Sequence, residues 1–170
     1  MNYTFRPATP EDAQGITHVH VQSWRSSYRG LLPQEFLDSI DSIERLAMWR
    51  KTLSQPDLFG VFVAVEPGTG NIVGFCAGGR NQGGPAGYLG ELYAIYLLDE
   101  AKGSGAGRVL FEECARWLRE RGLMPFALWV LADNARARGF YERMGGKRVG
   151  EHSISLGGQN KPEVAYGWET

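Results

Sequence analysis

The run Lys102-Gly103-Ser104-Gly105-Ala106-Gly107-Arg108 has the residue types and spacing to hold a phosphate. Its glycines let the backbone turn tightly and remove side chains that would keep a ligand away. A helix that starts here presents backbone N–H groups without intrahelical partners at its partly positive end. No acidic residue lies between Lys102 and Phe111 to satisfy them, and Arg108 adds a cation where the helix alone favours an anion. A bound phosphate resolves both features; the plain alternative is a glycine-rich turn from strand to helix. The run lacks the glycine spacing of a dinucleotide fingerprint. It also lacks the Gly-Lys-Ser/Thr ending of a Walker loop, because Arg108 and Val109 follow Gly107.

Two other residues stand out for proton chemistry. Glu91 is an acid inside an otherwise apolar stretch, costly unless it reaches a partner or a cleft. Its other reading is a pairing with an arginine or a place at a strand edge. Tyr141 follows Asn134 by about two helical turns, so both side chains can share one side of a short helix. Its other reading is a core tyrosine under a sheet.

These residues need elements to position them. Tyr88 to Leu98 is rich in aromatic and β-branched residues and reads as a strand. Beyond the loop, Leu110, Cys114, Trp117 and Leu118 fall on one helix face. Upstream, Tyr3 to Arg6 is a short strand, and Thr9-Pro10-Glu11-Asp12 is a helix start. A second helix is expected over Ser42 to Leu53. Phe59 to Glu66 and Ile72 to Arg80 read as a hairpin, followed over Asn81 to Gly87 by a Gly/Pro-rich, polar stretch expected to be a mobile loop. Phe126 to Leu131 reads as a buried strand and Asn134 to Met144 as a short helix. Lys147 to Leu156 and Glu163 to Trp168 read as a last antiparallel pair. The order implies one domain over 1–170, of mixed α/β class, with helices on both faces of the sheet. A right-handed crossover sets the Phe126 strand parallel to the Tyr88 strand.

The loop resembles the acyl-CoA-binding signature of the GNAT superfamily of N-acetyltransferases, Arg/Gln-x-x-Gly-x-Gly/Ala, with lysine in the first place. Lysine keeps the charge without the planar fork of arginine. Asn134 and Tyr141 extend the likeness, which loosely covers the whole chain. The resemblance implies a twisted, mostly antiparallel sheet of about seven strands. It also implies that the Tyr88 and Phe126 strands splay, with the pantetheine arm of acetyl-CoA in the gap.

The same likeness implies roles for individual residues. Amides of Gly103, Ser104, Gly105, Ala106, Gly107 and Arg108 are expected on the pyrophosphate, with Lys102 and Arg108 as cations near it or as plain solvated charges. Backbone groups of Ile95, Tyr96 and Leu97 pair with the pantetheine arm, as an added strand would, and the Leu97 amide can polarise the thioester carbonyl. Asn134 contacts the cofactor, and Tyr141 protonates the leaving thiolate. Glu91 matches the strand glutamate that acts as general base in the histone-modifying branch. In the branch that acetylates ribosomal protein N-termini the base lies on the later strand, where this chain has Trp129. Trp24, Tyr28, Arg29 and Tyr93 are candidates to bind the acceptor; ordinary packing is their other reading.

The totals exclude several function classes. A formal net charge of −1 gives no overall field for nucleic acid or an anionic membrane. Three scattered histidines do not suggest a metal site. Cys76 and Cys114 read as reduced core residues of a cytoplasmic protein, and the N-terminus does not read as a signal peptide. The expectation is an N-acetyltransferase acting on a small primary amine by direct attack, without metal. A protein or peptide acceptor, or a non-catalytic acyl-CoA sensor, are the alternatives. A homodimer paired through the last strands is expected only by analogy with other GNAT-like proteins.

Overall fold

The computed structural model describes residues 2–170. Its frame is one seven-stranded sheet in the order β1-β2-β3-β4-β5-β7-β6. The strands are β1 (Thr4–Pro7), β2 (Phe59–Val65), β3 (Ile72–Arg80), β4 (Gly90–Leu97), β5 (Phe126–Leu131), β6 (Lys147–Leu156) and β7 (Gln159–Trp168). Every neighbouring pair is antiparallel except β4 and β5, which are parallel. The helices are α1 (Ala13–Ser27), α2 (Gln34–Asp38), α3 (Ser42–Leu53), α4 (Ala106–Glu120) and α5 (Ala135–Arg143). The expected mixed, mostly antiparallel sheet and its single parallel crossover are therefore present.

Two cores hold the helices to opposite faces. On one face, Leu110, Phe111, Cys114 and Leu118 of α4 pack on Phe62, Cys76, Leu92, Phe126 and Leu128. On the other, Ile16 and Val19 of α1 and Trp49 and Leu53 of α3 pack on Val61, Val63, Phe75 and Ala77. Alternation along β2 and β3 sends successive side chains into these two cores, which is why both strands are apolar up to the exposed Arg80 that ends β3. Cys76 and Cys114 are free thiols inside the α4 core, and burial pushes the Cys76 thiol up.

Several boundaries differ from the sequence reading. The Thr9-Pro10 start opens a single 3-10 turn (Pro10–Asp12), with α1 following from Ala13. Asp12 closes that turn by accepting from the Thr9 amide at 2.8 Å and pairing with Arg6 at 2.7 Å. The short α2 was not anticipated. β7 starts at Gln159 rather than Glu163, because Gly157 and Gly158 make a tight turn at positive φ and pairing begins at once, Leu156 opposite Gln159. No helix among the described residues is long and apolar enough to cross a membrane.

Candidate active site

The site begins where β4 and β5 part. Their pairing is limited to Gly90 with Phe126 and Glu91 with Ala127. Past that point residues 93–98, from β4 into the turn after it, are all partly accessible, whereas the facing stretch of β3 is buried. A fork has opened on one side of β4 only.

The register divides the three expected backbone positions on β4. Tyr96 lies opposite Phe75, and the Leu98 amide donates to the Val73 carbonyl at 2.8 Å. Hydrogen-bonding direction alternates along a strand, so Ala94 and Tyr96 are committed to β3 while the backbone groups of Ile95 and Leu97 point into the fork. β5 offers them no pairing there. The Leu97 carbonyl is met by the Ser23 hydroxyl from α1 at 3.1 Å, and Ser23 is completely buried. The sequence reading missed Ser23, since one serine on an amphipathic helix carries no signal of a tertiary bond.

The glycine loop closes the wide end of the fork. A 3-10 turn over Asp99–Ala101 ends β4, and Gly103 and Gly105 follow with φ of 76° and 90°. That left-handed conformation favours glycine strongly over any other residue. The Ser104 hydroxyl donates to the Ala101 carbonyl at 2.5 Å and accepts from the Ala106 amide at 3.2 Å. The first intrahelical bond of α4 is Val109 to Gly105. The amides of Gly107 and Arg108 are thus open for an anion at the helix start.

Neither expected cation stands free beside them. Lys102 turns back to pair with Asp99 at 2.7 Å and to reach the Ser27 hydroxyl at 3.3 Å. Arg108 is exposed and pairs along the helix with Glu112 at 2.9 Å. The loop therefore presents backbone donors more than side-chain charge.

On the far side of the fork, Asn134 caps α5: its Oδ1 accepts from the Ala137 amide at 3.2 Å. Tyr141, two turns on, is buried against Phe140, Tyr166 and Trp168. Burial pushes its phenol up, with the nearby Tyr28 and Cys76 adding to the shift, so the hydroxyl keeps its proton throughout the physiological range. Tyr28, at the end of α1, is also buried, and its phenol is raised mainly by burial. Trp24 and Tyr28 pack edge to face with ring centroids 4.8 Å apart.

Glu91 sits at the vertex of the fork, opposite Gly79 on one side and Ala127 on the other. Its Oε1 accepts from the amides of Gln82 at 2.9 Å and Gly83 at 3.0 Å. The carboxylate thereby ties down the loop that was expected to be mobile. Asn81 completes that tie by donating to the carbonyls of Pro85 and Tyr88 at 2.8 and 2.9 Å. Tyr93 shares the Glu91 face, packs on Phe59 and donates to the Arg80 carbonyl; burial, with Glu91 second, raises its phenol. Arg29 is exposed, on a polar surface cavity with His18, Gln22 and Arg25, apart from Trp24 and Tyr28.

His20 was not singled out for chemistry. It is buried, stacks on Tyr96 at 5.6 Å, and its Nδ1 accepts from the Trp49 indole at 3.1 Å. Burial, with Arg45 second, lowers it to about 4, so it is a neutral imidazole. A separate cavity of about 320 Å³ lies beside the start of β2, between Pro7, Phe59, Trp117 and Glu120, and none of these site residues lines it.

A fork thus frees one edge of a strand, and the start of α4 beside it leaves backbone donors without partners. The sequence matches the model of the Acetyltransferase (GNAT) family over residues 19–146, and the chain belongs to that family. It is an acetyl-CoA-dependent acyltransferase of the N-acetyltransferase class. It is 37% identical over 165 residues to an uncharacterised N-acetyltransferase, YuaI of Bacillus subtilis (strain 168), covering 97% of this chain and 92% of that one. The PaiA N-acetyltransferase of Thermoplasma acidophilum, solved with coenzyme A, has the same fold. Its TM-score is 0.74 at 19% identity, with 96% of this chain and 98% of that chain covered. So has yncA of Salmonella typhimurium, solved with acetyl-CoA, with a TM-score of 0.74, 19% identity, and coverage of 99% and 94%.

Proposed function

We propose that this N-acetyltransferase transfers the acetyl group of acetyl-CoA to a primary amine of a small molecule by direct attack. One observation carries the small-molecule reading: the acceptor side of the fork is bridged. Tyr28, Leu32 and Leu37 of the α1–α2 segment form a buried cluster with Leu131 of β5, and Phe36, Ile154 and Leu156 pack on it. Gly157, at the tip of the β6–β7 hairpin, lies so close to Phe36 and Pro33 that a Cβ there would approach both within 3.3 Å. A peptide needs an open channel through which its chain continues. A bridge of this kind favours a compact acceptor.

In this reading the amides of Gly103 to Arg108 hold the pyrophosphate, and Ile95 and Leu97 hold the pantetheine arm as an added strand. Acetyl-CoA supplies the activated acyl group when bound. The Leu97 amide polarises the thioester carbonyl. Glu91, at the fork vertex, takes the ammonium proton through water. Tyr141 hands its proton to the departing sulfur; a neutral phenol does this without carrying charge into a dry site. The Glu91 role competes with its two loop hydrogen bonds, so the base must act while still tethering Gln82 and Gly83.

The test is thiol release from acetyl-CoA with a panel of small amines and amino acids, beside peptides with free N-termini or lysines. Turnover confined to small amines supports the proposal. Faster turnover of peptides overturns the acceptor class and leaves the family intact.

A further inference from the structure

Glu91 is not the only acid on its face of the sheet. Leu92, Val130 and Val164 enter the α4 core, so their neighbours Glu91, Trp129, Leu131 and Glu163 stand on the opposite face. Glu163 on β7 lies opposite Leu131 on β5 and, on its other side, directly opposite His152 on β6. Leu131 belongs to the buried cluster with Tyr28, and Ile154, two residues beyond His152, packs on that cluster. Trp129, His152 and Glu163 therefore border the bridge over the fork, and the reaction as read above leaves them idle.

The His152 ring is held on two sides. Its Nε2 meets Glu163 Oε1 at 2.8 Å, and it lies flat on the Trp129 indole, with centroids 3.6 Å apart and planes 10° from parallel. The indole crosses β7 to do so: a Cβ on Gly150 of β6 would stand 3.6 Å from it. An ionised carboxylate only accepts, so Nε2 carries the ring proton and a neutral imidazole keeps its lone pair on Nδ1. Nδ1 makes no hydrogen bond among the described residues. The Glu163 side chain is 14% exposed and that of His152 39%, so a largely enclosed carboxylate backs an imidazole open to solvent.

Proton balance gives such a pair a task. Between ammonium and amide the acceptor nitrogen loses two protons: one before it attacks, and one after it has bonded to the carbonyl carbon. Glu91 takes the first in the reading above, and the second needs another acceptor. We propose that His152, oriented by Glu163 and Trp129, takes this second proton through water and releases it to solvent. The proposal rests on the acetyl-transfer reading. As the C–S bond breaks and its electron pair goes to sulfur, Tyr141 protonates the sulfur. The nitrogen gives its second proton to a water, which passes one to Nδ1, and the imidazolium is stabilised by the Glu163 carboxylate. Nδ1 then returns the proton to bulk water, a cycle to which imidazole is suited near neutral pH.

The orientation can be tested without an acceptor, by long-range proton–nitrogen NMR correlation of the neutral imidazole ring. Wild type should show the Nε2–H tautomer, and Glu163→Ala a mixture of both. An Nδ1–H tautomer in wild type overturns the proposal, because no lone pair then faces outward. Thiol release from acetyl-CoA with the panel of small amines tests the role. In His152→Gln kcat should fall by about tenfold or more with CoA affinity unchanged, and added imidazole should restore part of the loss in His152→Gly. A wild-type kcat in His152→Gln, or a loss confined to KM, overturns the proposal and leaves the acetyl-transfer reading standing. No turnover of any amine by wild type would sink that reading, and this proposal with it.

Discussion

The two sides of the β4–β5 fork are built from different material. On the side we propose for the cofactor the available groups are backbone amides: those of Gly107 and Arg108 at the α4 start, and those of Ile95 and Leu97 on the free edge of β4. On the side we propose for the acceptor they are side chains, namely Trp24, Tyr28, Tyr93 and Glu91, brought in by α1 and β4. Backbone recognition forces glycine at positions of positive φ and so leaves a mark in the sequence. Side-chain recognition follows the shape of one particular ligand and leaves no general mark.

That contrast can be broken by substitution. The largest effect should come from Gly105→Glu, which puts a side chain at φ 90° and a carboxylate at the anion site. Calorimetry should find CoA affinity reduced by about a hundredfold or more, with the circular dichroism of the fold retained. Tyr141→Phe should lower kcat by about a hundredfold, the low end for loss of a proton donor, with CoA affinity unchanged. A loss in affinity without a loss in kcat would return Tyr141 to the role of core residue.

Glu91→Gln sharpens the comparison because Glu91 has two jobs. The amide still accepts from Gln82 and Gly83 but cannot take a proton. If Glu91 is the base, kcat/KM should fall by at least about tenfold while hydrogen exchange of residues 82–87 stays as in wild type. Faster exchange with unchanged turnover would make it a loop tether only.

His20 gives the stability of the fold a pH dependence. Its folded-state value is lowered to about 4 by burial, below the unfolded value of about 6.5. Above pH 6.5 both states are neutral and there is no penalty. As pH falls from about 6.5 to 4 the unfolded state binds the proton first, so this group removes stability, on the order of 3 kcal/mol in all. Urea titrations at pH 7.5 and 5 should show that slope in wild type and a shallower one in His20→Asn. The smallest effect should be Arg108→Ala, less than about threefold in CoA affinity, because its guanidinium is exposed and occupied by Glu112.

Much of the frame was legible in the sequence because periodicity and turn residues are local. The bounds of α3, β3, β5 and β6 match their expected ranges, and the parallel β4–β5 pairing followed from the handedness of one crossover. The Asn81–Gly87 stretch read as mobile because it is rich in glycine. Its anchors, Glu91 and Asn81, act across the loop and are invisible to composition. The commitment of Tyr96 to β3, the turning of Lys102 toward Asp99, and the placing of Ser23 under Leu97 depend on register and helix rotation. No single-residue propensity encodes those.

The most direct test of the backbone-built cradle is NMR of the amide-labelled protein titrated with CoA. The amides of Gly103, Gly105, Gly107, Arg108, Ile95 and Leu97 should shift strongly. The Tyr96 amide, committed to β3, should shift much less, and those lining the cavity between Pro7 and Glu120 should stay still. Shifts centred on that cavity, or an unmoved glycine loop at saturating CoA, would contradict the account.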